Sequence, residues 1–67
     1  MSTNYKYQEQ FASELTEAWL AGKQEQVRLT IRGLKNKAQA AYIAAAICYR
    51  LDAYQGESFV NFIHPNL

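Results

Sequence analysis

Sixty-seven residues with a net charge of +1, 49% hydrophobic and 13% aromatic, describe one domain that is too apolar to stay disordered. The charge gives no global attraction to nucleic acid or to an anionic membrane. One cysteine, Cys48, and one histidine, His64, leave no internal disulfide and argue against a four-ligand structural zinc site.

The opening, MSTNYKYQEQ, is polar and contains no apolar h-region, which predicts no leader. The longest apolar run, Ala40 to Tyr49, is about half of what a bilayer span needs. With a lone free cysteine, these features predict a protein of a reducing cytoplasm with no membrane contact and no cofactor.

The first helix is predicted from Tyr5 to Ala21. Tyr7, Phe11, Leu15, Ala18 and Trp19 share one stripe at helical spacing, and Lys6, Gln10, Glu14 and Glu17 take the other side. Thr3 or Asn4 is placed to cap its start, and Gly22 to close its end in the left-handed conformation.

Residues Gln24 to Leu34 fit two patterns. Val27, Leu29 and Ile31 alternate with Arg28, Thr30 and Arg32, the period of a strand. Gln24, Val27, Ile31 and Leu34 also make a helical stripe. Helix is favoured, because a lone strand needs a partner that only the tail or a second subunit could supply. In either case Arg28 and Arg32 point the same way.

Gly33 to Asn36 is predicted to turn, with Asn36 capping a third helix and Gln39 as its capping-box partner. This helix is predicted from Lys37 to Gln55, the longest in the chain, stopped by Gly56. Its alanines give it the strongest helix propensity. Ile43, Ile47, Leu51 and Tyr54 form one stripe. Ala41, Ala44, Ala45 and Cys48 form a second, smooth one. A helix apolar on two sides is buried on two sides. It is either the centre of the bundle or a seam between subunits. In the tail, Phe59, Val60, Phe62 and Ile63 suit one or two helical turns lying on the core, ended by His64-Pro65. The expected fold is all-α: a single domain over residues 1–67, a small three-helix bundle with a short hydrophobic C-terminal helical turn.

Catalysis has little support. Ser58, His64 and Asp52 lie close in sequence, but a hydrolytic triad needs a scaffold such as a nucleophile elbow, and none is visible. Cys48, among alanines and isoleucines, reads as a small buried hydrophobe with no local cation to activate it.

Charge segregation is more suggestive. Residues 1–22 set Lys6 against Glu9, Glu14 and Glu17. Residues 23–37 set Lys23, Arg28, Arg32, Lys35 and Lys37 against Glu25 alone, a net of +4. On a helix Arg28, Arg32 and Lys35 form a strip flanked by Lys23 and Lys37. The strip is either a solvated face paired with Glu25 and with the acidic first helix, or a contact surface for an acidic protein or for phosphates. A helix-turn-helix reading fits poorly, since the reader face would offer Ala38, Ala40, Ala41 and Ala44, and alanine gives base edges no hydrogen bonds. Non-specific nucleic-acid contact stays open. The alanine stripe, likewise, is either close packing within the chain or a homodimer seam through Ala41, Ala44, Ala45 and Cys48; a homodimer is the expected state, because so short a chain has a marginal core and its third helix is apolar on two sides.

Met1, Ser2, Thr3, Tyr5, Tyr7 and Gln8, within MSTNYKYQEQF, resemble the opening of small anti-CRISPR proteins directed at type I CRISPR surveillance complexes. The resemblance covers Met1 to Phe11, so it carries no binding residues beyond that segment. It implies a short, single-domain protein carried by a phage or plasmid that occupies a surface of a host defence complex. The expected function is accordingly non-enzymatic inhibition by protein binding, through Arg28, Arg32 and Lys35 with nearby tyrosines such as Tyr5 or Tyr42. The competing expectation is a small nucleic-acid-associated regulator that uses the same basic strip.

Overall fold

The computed structural model describes residues 3–63, with side chains from Tyr7 onward. They form four helices and, among the described residues, no strand: α1 (Thr3–Leu20), α2 (Gln24–Arg32), α3 (Lys37–Arg50) and α4 (Ala53–Ile63). α1 begins at Thr3, two residues before the expected Tyr5, so Thr3 and Asn4 lie within the helix and not ahead of it; the stop at His64-Pro65 falls outside the described residues.

α1 ends as its glycine predicts. Gly22 has φ of 93°, a conformation open to glycine without Cβ strain. The Gly22 amide donates to the Trp19 carbonyl at 3.0 Å and the Lys23 amide to the Ala18 carbonyl at 2.9 Å. This pair of bonds is the Schellman closure, which satisfies carbonyls the helix end would leave open.

The α2 segment is helix, and the burial pattern shows why the strand period loses. A strand would bury Val27, Leu29 and Ile31 together. Val27 and Ile31 are fully buried, but Leu29 is 56% exposed, so the repeat is four residues and not two. α2 has nine residues, too few to be stable alone, and it persists through the packing of these two side chains.

α3 begins where Asn36 caps it: the side-chain oxygen accepts from the amides of Ala38 at 2.9 Å and Gln39 at 3.2 Å. Its end differs from expectation. The helix stops at Arg50, Leu51 is extended with φ of −102° and ψ of 155°, and Asp52 starts a new helix. Its carboxylate accepts from the Gln55 amide at 2.8 Å, the N-cap interaction that supplies an acceptor to an otherwise orphaned donor. The bundle therefore has four helices instead of three. The tail is an 11-residue helix and not a turn or two. The longest helix is α1 with 18 residues, against 14 for α3. Gly56 lies inside α4 and stops nothing. Tyr54, expected on the stripe of Ile43, Ile47 and Leu51, is 78% exposed, because the break at Leu51 and Asp52 ends the register that aligned them.

The core is built from Ala12, Leu15 and Trp19 of α1, Val27 and Ile31 of α2, Ala40, Ile43, Ala46 and Ile47 of α3, and Phe59 and Ile63 of α4. α3 is the central helix and packs against all three others. The one buried polar side chain among the described residues, Thr16, donates its hydroxyl proton to the Ala12 carbonyl at 2.7 Å, which removes the cost of burying it unpaired. Trp19 locks α4 to α1. Its indole N–H donates to Gln55 Oε1 at 3.1 Å. Its ring meets Phe59 edge-on at 5.1 Å and Phe62 at 5.8 Å, separations at which aromatic pairs attract. No helix among the described residues is long and apolar enough to cross a membrane.

Candidate functional site

The helical geometry of α2 puts Arg28 and Arg32 on one side, but the two arginines have different surroundings. Arg28 is turned into the fold. Its guanidinium lies 4.9 Å from the centre of the Phe62 ring and pairs with Glu25 at 2.6 Å. Its side chain keeps 27% exposure, and Nε is buried with no acceptor. Arg28 thus ties α2 to α4 by a cation–π contact. Arg32 and Lys35 are exposed, as are Lys23 before α2 and Lys37 at the start of α3. Among the described residues none of these four makes an ion pair. The freely presented cations are therefore Arg32 and Lys35, with Lys23 and Lys37 at either end; of the pairings the solvated-face reading called for, the one with Glu25 forms at Arg28, and none with the first helix forms among the described residues.

The acidic first helix instead uses Glu9 on α3. Tyr42, half-buried, donates its phenolic proton to Glu9 Oε2 at 2.6 Å, and Arg50 donates to Oε1 at 2.9 Å. Both bonds favour the carboxylate, so the Glu9 carboxyl is held below its ordinary value, by Tyr42 first and Arg50 second. Tyr42 is thus engaged with α1 and not with the basic strip. Tyr5 lies in α1, and its side chain is outside the description.

The alanine stripe divides in the same way. Ala44 and Cys48 are half-buried and pack on the core, whereas Ala41 and Ala45 are exposed. Between α3 and α4 lies an open apolar groove of about 510 Å³, lined by Ala44, Ala45, Cys48, Tyr49, Phe59, Val60 and Ile63. Cys48 fits the inert reading: burial pushes its thiol pKa up, and its Sγ sits 3.9 Å from the Gly56 carbonyl. Asp52 is occupied as a helix cap, and Ser58 is exposed on α4. No cluster of three or more metal-ligating side chains occurs among the described residues.

No family model matches the chain, and no curated protein or solved structure does so either.

Three features of these faces escaped sequence reasoning. Phe62 under Arg28, Glu9 between Tyr42 and Arg50, and Gln55 on Trp19 are contacts between residues more than thirty positions apart. Local spacing holds no signal for such pairs. The start of α4 did have one: Asp52 with Gln55 three positions on, the spacing of a capping box.

Proposed function

We propose that this chain is a non-enzymatic inhibitor that works by binding a protein, presenting Arg32 and Lys35, with Lys23 at the far end of α2, to an acidic surface of a host protein complex in the cytoplasm. The observation that carries this reading is the set of exposed cations around α2 that have no carboxylate partner among the described residues, in a chain whose total charge is only +1. A local patch of this kind steers association and sets register. Arginine is also among the residues that most often dominate interface energy. The anti-CRISPR resemblance at Met1 to Phe11 supplies the class of target, a type I CRISPR surveillance complex, and a phage or plasmid as the carrier.

Capture on immobilised, purified type I surveillance complexes tests the reading. The wild-type chain is expected to bind. The variant Arg32→Glu with Lys35→Glu, both at exposed positions, is expected to keep its fold and lose about 2 kcal/mol or more of binding, roughly thirtyfold. A duplex DNA probe run in parallel separates the alternative. A nucleic-acid-associated regulator would bind the bare duplex, with affinity falling by about 0.9 log unit per log unit of salt for each phosphate contacted. Duplex binding with that slope, and no capture of the complex, would overturn the inhibitor reading in favour of the regulator.

A further inference from the structure

The solvent side of α3 is apolar along its length. Ala38, Ala41, Ala45 and Tyr49 are all exposed, spaced three, four and four residues apart, so they lie on one face of the helix. No charged residue belongs to this face. Tyr49 is 91% exposed and stands with Ala45 between two depressions. One is the groove toward α4, of about 510 Å³. The other, of about 400 Å³, is bordered by Glu9, Tyr42 and Arg50. A large side chain thus projects between two hollows that share Ala45 in their lining. Opposite charges mark the two ends of the face. Lys37 opens α3, and Asp52 follows its last turn. Neither makes an ion pair among the described residues, while Arg50 at the same end is already paired with Glu9 at 2.9 Å.

We infer that this face is covered by a second copy of the chain, packed antiparallel through α3 about a two-fold axis near Ala45. Three observations select a second copy over another occupant. An antiparallel pairing centred at Ala45 sets Tyr49 of one copy against Ala41 of the other, so large meets small on both sides of the axis. It carries Lys37 of each copy toward Asp52 of the other, so both ends are electrostatically complementary to themselves. Between the ends the helix face itself carries no charge, and the charges that border it, Glu9 and Arg50, are already paired with each other at 2.9 Å, so the face meets its own image without leaving a charge unpaired, as a two-fold interface requires. At 1.5 Å per residue and a diameter of about 10 Å per helix, α3 and α4 together offer a projected face of roughly 400 Å². That is below the ~800 Å² per partner of an ordinary stable interface, so the association is reversible and depends on concentration. Arg32 and Lys35 lie outside the pairing, so the dimer and the proposed partner-binding face are independent claims.

Sedimentation equilibrium on the full chain from about 5 to 500 µM, with thermal unfolding at each concentration, tests the pairing. The weight-average mass is expected to rise from 7.7 kDa toward twice that value, and the melting temperature to rise with it. Ala45→Glu, which sets two carboxylates across the axis, is expected to remain at the monomer mass at every concentration. Lys37→Glu is expected to weaken association. Adding Asp52→Asn, which keeps a capping side chain, should restore much of it by removing the new repulsion. A wild-type chain that stays at monomer mass, with a melting temperature independent of concentration, overturns the inference and leaves the face to a different partner or to solvent. Association of Ala45→Glu at wild-type strength overturns it too, since the seam then lies elsewhere. The wild-type arm decides even where a variant loses its fold.

Discussion

Replacing Gly56 by alanine changes stability in opposite directions under the two readings of that residue. As a helix stop in the left-handed conformation, Gly56 would lose about 1 kcal/mol or more on gaining a Cβ. In the structure it lies in α4 with no positive φ. The one atom near the new Cβ is the Cys48 carbonyl oxygen at 3.8 Å, an ordinary van der Waals separation that requires no movement. The substitution then removes backbone freedom from the unfolded chain and gains the helix preference of alanine, together about 0.5–1 kcal/mol. In a domain of this size 1 kcal/mol corresponds to about 4–8 °C. Gly56→Ala is therefore expected to raise the melting temperature, followed by circular dichroism at 222 nm, by several degrees. Gly22→Ala is the internal contrast. Nothing lies within 4 Å of its Cβ, yet φ is positive, so strain alone should lower the midpoint by a similar amount. A lower midpoint for Gly56→Ala would refute the break at Leu51 and Asp52, and with it the placement of α4.

Three further outcomes follow from single contacts. Asp52→Ala removes the acceptor of the Gln55 amide and is expected to cost about 1 kcal/mol in urea unfolding, with Asp52→Asn nearly neutral; equal losses would show that the cap is not the reason for the helix start. Arg28→Ala forfeits the contact with Phe62 and the pair with Glu25, a net loss of about 0.5–1 kcal/mol, whereas the exposed Arg32→Ala should stay within about ±0.5 kcal/mol; identical thermal shifts for the two would contradict their different placement. Because the Glu9 carboxyl is depressed in the folded state, it stabilises above its unfolded value near 4.5, and this contribution disappears as pH falls through the lower folded value. Glu9→Gln should therefore flatten the acid side of the stability profile in urea titrations; profiles that run parallel for the two proteins would show that the Tyr42 and Arg50 bonds contribute nothing in solution.

The parts of the fold that were legible in the sequence are those fixed by chemistry within a few residues. Gly22 and Asn36 each mark a helix boundary by a local conformational need, and both boundaries stand where those residues put them. The four-residue repeat of Val27 and Ile31 competed with an alternation of equal length, and only the exposure of Leu29 separates them. The break after Arg50 was hidden by propensity. The alanine-rich run carries a helical pattern straight through Leu51 to Tyr54, and Gly56 offered a more conspicuous stop than the cap at Asp52. The candidate site was half legible for the same reason. That Arg28 and Arg32 share a side of α2 follows from their spacing, but which one the fold retains depends on Phe62, which arrives from the far end of the chain. Ala41 and Ala45 remain open while Ala44 and Cys48 pack inward. That split depends on where α4 lies, and its residues were expected to be divided between the end of the third helix and a short tail of one or two turns.

The central claim is that Arg32 and Lys35 disable a host defence complex, and phage plating measures it directly. In a host whose type I CRISPR system restricts a phage, expression of the wild-type chain is expected to restore plating to the level of a host lacking the system. Expression of the Arg32→Glu, Lys35→Glu variant, with an unchanged melting temperature and equal abundance, is expected to leave restriction in place. Failure of the wild-type chain to restore plating, or full restoration by the variant, would contradict the account.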